Sequence, residues 1–188
     1  MAGEEAHLDA AIGRYSPQVA ATARAGLKKL RARFPGARQL VYERRQSLPI
    51  GFAPAERGSA VFSLVLYPRW VRFFFLEGVV IDDPDGRLEG AGSQVRSIRV
   101  DEHAAILDDP YIRGLMAQAL KVAGADLKAG RGQVVLKSMI GASRASARLF
   151  RAEARNAAQK GCPTGVTRIP HPGSPGRRIP ATPIRVPG

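Results

Sequence analysis

At 188 residues with 45% hydrophobic side chains, the chain suits one domain of about 100–150 residues plus an extension, and can bury a core without staples. Its single cysteine, Cys162, excludes an intramolecular disulfide framework and cysteine-rich metal knots and fits a reducing compartment. No apolar run approaches the roughly 20 residues that cross a bilayer, and the acidic opening "MAGEEAHLDA" has no apolar h-region, so the sequence predicts a cytoplasmic chain with no membrane partner. The formal net charge of +13 is uneven: residues 1–140 carry 20 Lys/Arg against 15 Asp/Glu, and residues 141–188 carry 9 against 1. Composition therefore gives weak support for nucleic-acid binding by the first part and restricts that reading to the tail.

Residues 6–12 can form a short helix, separated by Gly13 and the Tyr15-Ser16-Pro17 junction from a longer one. That second helix carries start signals, Ser16 as N-cap and Pro17 at its first position, and stops at Pro35-Gly36. Val19, Ala23, Leu27, Leu30 and Phe34 form its apolar stripe, and Arg24, Lys28 and Arg31 point elsewhere. From residue 39 the period changes. "QLVYERR", "SLPIGF", "SAVFSLVLY", "WVRFFFLEG" and "QVRSIRV" read as a meander of strands. The third and fourth are apolar on both alternating sets apart from Ser63 and Arg72, which predicts central positions joined by the "YPRW" turn. Pro49 predicts an edge position or a bulge for the second strand.

Asp109 and Pro110 open another helix, with Ile112, Leu115, Met116, Ala119, Leu120 and Ala123 as its stripe and Gly124 at its end. A last strand, "QVVLKS" at 133–138, rejoins the sheet. This order predicts an α+β fold: a two-layer sandwich with a mainly antiparallel sheet of five to six strands and helices on one face. Residues 1–140 form this domain. In residues 141–188, Arg144, Arg148, Arg151 and Arg155 share one side of an alanine-rich stretch. Residues 161–188 then contain seven prolines and five glycines, a composition that predicts a disordered basic tail.

Across residues 6–140, the helix "YSPQVAATARAGLKKLRARFPGA", the aromatic strands, "DPDGRLEGAGSQVRSIRV", "DDPYIRGLMAQAL" and "GRGQVVLKS" resemble the bacterial YdhG-like family, a small domain of unknown function. The resemblance implies a compact α+β domain of frataxin-like shape with no established catalytic residues, some of whose relatives carry an iron-chaperone label. Two features depart from it. Relatives commonly read Gly-x-Gly-Lys in the turn, whereas Gly90-Ala91-Gly92 is followed here by Ser93. Relatives also end soon after the last strand, whereas 48 residues follow here. Their Ala/Arg/Pro/Gly character fits either a shifted reading frame in GC-rich DNA or a true extension.

The glycine turn is neither a dinucleotide fingerprint, because Val95 stands where the third glycine belongs and a strand follows, nor a P-loop, which needs Gly-Lys-Ser/Thr. Two readings stay open for it. Gly86, Gly90 and Gly92 can supply positive φ for turns, or backbone N–H groups around Gly90 and Gly92 can form a nest for an anion charged by Arg96, with Arg99 beside it. Asp82, Asp83 and Asp85 read as turn formers, since the calcium-loop pattern would place Ile81 and Gly92 where acids are required. Glu4, Glu5 and Asp9 are the only acids able to serve the iron reading. His7, His103 and His171 are scattered, and no Gly-x-Ser-x-Gly elbow is present, so catalysis and metal binding gain no support and no cofactor is implied.

In strand geometry Phe73 and Phe75 share one face, and Trp70, Arg72 and Phe74 the other. One face is core; the other is a ligand surface or a patch covered by a second copy. The sequence thus predicts a non-enzymatic binding domain for an unknown small ligand, a small anion being the first candidate. Its site would combine Gly90, Gly92, Arg96, Trp70 and Arg72. The alternatives are frataxin-like iron binding, and nucleic-acid or acidic-partner binding through the basic tail.

Overall fold

A computed structural model describes residues 2–56 and 58–137; the expectations for residues 141–188 lie outside the described residues. The helices are α1 (Ala2–Ile12), α2 (Pro17–Arg33) and α3 (Pro110–Val122). The strands are β1 (Arg38–Val41), β2 (Leu48–Ala53), β3 (Phe62–Leu66), β4 (Val71–Phe75), β5 (Arg96–Val100) and β6 (Gln133–Leu136). They form one six-stranded sheet in the order β5-β4-β3-β2-β1-β6. The four pairings among β1 to β5 are antiparallel, and β6 lies parallel to β1, so the α+β sandwich carries a mixed sheet.

Local chemistry starts both long helices where the sequence marks them. The Ser16 side chain accepts from Val19 N, and Pro17, which has no N–H to leave unpaired, occupies the first turn. Asp109 does the same for α3 by accepting from Tyr111 N at 2.8 Å, with Pro110 following. After α3, Gly124 adopts φ +56, a conformation that closes a helix cheaply only without a Cβ.

The register sorts side chains into two faces. Phe52, Phe62 and Phe75 share one cross-strand row, Ile50, Leu64, Phe73 and Ile98 the next, and Leu48, Leu66, Val71 and Val100 a third. All of them join α1, α2 and α3 in a single buried cluster, which places the helices on one side of the sheet. Phe62 stacks on Phe34 and Phe73 at 5.4 and 5.3 Å and meets Phe75 edge-on at 5.6 Å. Each such side chain contributes roughly 1.5–3 kcal/mol by leaving water. Gly26 lets α2 approach β3: a Cβ there would touch Leu64 at 3.4 Å.

Pro49 corrects one expectation. β2 is interior, between β1 and β3, and Pro49 is buried and pairs with Val65. The paired register of β1 stops at Val41↔Ile50, and the Pro49 carbonyl accepts from Tyr42 N at 2.9 Å. The missing proline N–H therefore falls where the β1 ladder has run out, and a proline is tolerated inside the sheet without a bulge.

Candidate functional site

The glycine turn closes around its own arginine. Gly86 and Gly90 have positive φ, +61 and +140, while Gly92 does not. Arg96 Nη1 donates to the Gly92 carbonyl at 2.7 Å and the Val95 carbonyl at 2.9 Å. A nest for an anion needs N–H groups pointing inward, but here carbonyls converge on a cation. Arg96 pairs with Phe75 and so lies on the helix side, tight against Gly78, where an added Cβ would come within 2.6 Å of the arginine Cβ.

Arg72 and Trp70 belong to the other side. The row Pro49–Val65–Arg72–Arg99 runs across four strands on the face away from the helices. Arg72 Nη2 donates to Glu89 at 2.6 Å. Glu89 is held there by two backbone hydrogen bonds of 2.8 Å to Ser97, which cover part of the exposed edge of β5. The Trp70 ring, just before β4, lies 6.3 Å from Tyr67, with the Arg99 guanidinium 5.8 Å over it. At the end of the sheet, where the two faces meet, Arg69, Trp70 and Arg99 also border a cleft of about 150 Å³ that α2 closes from the helix side through Val19 and Thr22; Arg72 does not line it.

The structure therefore divides the five expected residues: Arg72 and Trp70 stand together with Arg99, while Arg96 faces the opposite side and its Nη1 is taken up by the loop. Alternation in "VRFFF" revealed the first grouping. The second required knowing where residues 89–95 fold, which no local pattern specifies.

Among the described residues, three buried polar atoms on this face lack a hydrogen-bond partner: Trp70 Nε1, Arg72 Nε and Ser63 Oγ. Ser63 sits in the row Leu40–Gly51–Ser63–Phe74–Ser97, one step from Arg72. Buried polar atoms are nearly always paired, so three such atoms on one face leave room there for an additional hydrogen-bond partner, water included. Phe74 is 3% exposed within the single chain, beside Val65 and Val95, so this ring needs no second copy to leave water.

The other candidates resolve into structural roles. Asp83 accepts from the Tyr111 hydroxyl at 2.5 Å and from Leu88 and Arg87 N–H at 2.8 and 3.2 Å. Burial alone would raise its pKa, but these three donors together hold it below the usual aspartate value. Glu5 pairs with Arg31 at 3.0 Å and Asp9 with Arg24 at 2.8 Å, so two of the three acids named for iron face α2 arginines. Among the described residues no three His, Cys, Asp or Glu side chains converge as a metal site, and no helix is long and apolar enough to cross a membrane.

No family model matches the sequence, and no curated protein or solved structure matches it either.

Proposed function

We propose that the chain is a small, non-enzymatic binding domain of the YdhG-like type. Its ligand is a small anion with an apolar portion, engaged on the face of the sheet away from the helices. Trp70 is the apolar wall, and Arg72 and Arg99 supply charge. The observation that carries this reading is the pair of buried donors, Trp70 Nε1 and Arg72 Nε, that have no acceptor among the described residues. Acceptor oxygens of a ligand would satisfy these donors, and a buried charged donor gains roughly 1.5–3 kcal/mol from such a bond. Glu89 balances the Arg72 charge but engages only Nη2, so the Nε donor remains for a ligand oxygen.

The test uses benzoate, a planar carboxylate. Trp70 is the only tryptophan, so its fluorescence reports directly on the site. Benzoate is expected to quench it saturably, and Arg72→Gln to weaken that binding about tenfold, the loss of one charge-assisted contact. Trp70→Phe, followed by calorimetry because the fluorophore is gone, is expected to weaken it several-fold. Equal affinity in Arg72→Gln and the unaltered chain would refute the assignment.

A further inference from the structure

A second concave site forms where α1 hands over to α2. The turn Gly13-Arg14-Tyr15-Ser16 faces the β1–β2 connection, which is drawn tight by Arg44 N donating to the Ser47 carbonyl at 3.1 Å. Between them lies a cavity of about 460 Å³, within the range that holds small molecules. Its lining includes three arginines, Arg14, Arg44 and Arg45, against a single acidic residue, Glu43. Leu48 lends an apolar side.

Glu43 is already occupied. His7 bonds one of its oxygens and Arg14 the other, at 3.1 Å, and the His7 contact, followed by Arg14, holds its carboxyl below the usual glutamate range. In the Arg14 side chain this uses only Nη1; its remaining side-chain donors make no hydrogen bond among the described residues. Arg45 is exposed and makes no hydrogen bond or ion pair among the described residues. The N-terminus of the 17-residue α2 opens on the same cavity at Ser16, adding the positive end of a helix dipole. A cavity of the same size beside α3 is lined instead by Glu56, Glu77 and Asp126, with no Lys or Arg among the described residues. The lining here is thus more basic than that of its equal-sized neighbour beside α3.

We propose that the cavity between the α1–α2 junction and the β1–β2 connection is a second ligand site, taking a small polyanion that presents carboxylate or phosphate oxygens to Arg14 and Arg45. The charge excess asks for more than one negative charge. The planar forks of the two arginines suit paired oxygens, and the volume admits a molecule of tricarboxylate size.

The test is calorimetric titration of the full chain at constant ionic strength with citrate in one arm and inorganic phosphate in the other. Saturable binding of at least one is expected, and its identity distinguishes the carboxylate from the phosphate source. Arg45→Gln is expected to weaken that binding about tenfold, and Arg45→Lys, which keeps charge but loses the fork, by less. Arg72→Gln should leave it unchanged, which separates this site from the one that contains Trp70. Arg14→Gln releases Glu43 and can disturb the junction, so the exposed Arg45 decides. Affinity in Arg45→Gln within about twofold of the unaltered chain, or no binding of either anion up to about 10 mM, overturns the proposal.

Discussion

Ser63 illustrates how one atom can place a site. It is 1% exposed in the middle of β3, and its hydroxyl has no hydrogen-bond partner. Leaving a hydroxyl buried and unpaired costs about 1–3 kcal/mol, and alanine has the same shape without the oxygen. Ser63→Ala is therefore expected to raise stability by about 1 kcal/mol, read from the urea midpoint at unchanged slope. A midpoint that falls would show the hydroxyl to be satisfied in solution. Stability gained in this way fits a residue kept for a task other than folding. In the sequence Ser63 was visible only as an interruption in an apolar strand. Its meaning depends on Arg72, nine positions on, which only the β3–β4 register brings near. Arg96 shows the converse: "GAGSQVR" looked like an anion loop because glycines and an arginine coincide, but the chain direction there presents carbonyls instead of N–H groups.

The element boundaries that the sequence conveyed best are those fixed by adjacent residues. Ser16-Pro17 and Asp109-Pro110 each pair a side-chain acceptor with a residue that has no N–H to satisfy, and both helices begin there. Ser16→Ala is expected to lower stability by about 1 kcal/mol, and Ser16→Asp to restore it, since an aspartate caps equally well and favours the helix dipole. Comparing urea midpoints checks this. Because Ser16 also borders the arginine-lined cavity, Ser16→Asp should bind citrate more weakly than the unaltered chain despite equal stability. Pro49 escapes the edge position its missing N–H predicts because its tolerance depends on where a neighbouring strand stops. That boundary, at Val41, is set by pairing across the sheet and has no signal around residue 49 itself.

At the scale of the whole molecule, closure depends on the most distant pairing in the sheet. The sequence announced that 133–138 returns to the sheet, but not that it docks parallel beside β1, with Gln39 opposite Val134, across 95 positions of chain. The antiparallel neighbours β1 to β5 are joined in sequence order and can pair as they form, whereas β6 must wait for α3 to carry the chain back. Loop-closure entropy makes such a contact late. Val134 is 5% exposed in the main core, so Val134→Ala is expected to cost on the order of 1.5 kcal/mol. If β6 docks after the transition state, that loss should appear almost wholly as a roughly tenfold faster unfolding rate, with folding nearly unchanged. Leu64→Ala, between β2 and β4 and beneath α2, should instead slow folding, because its neighbours belong to the local meander and to the helix packed on it. The two limbs of a denaturant chevron separate these outcomes. Slower folding in Val134→Ala would mean that the parallel closure belongs to the nucleus, and that the meander does not fold ahead of it.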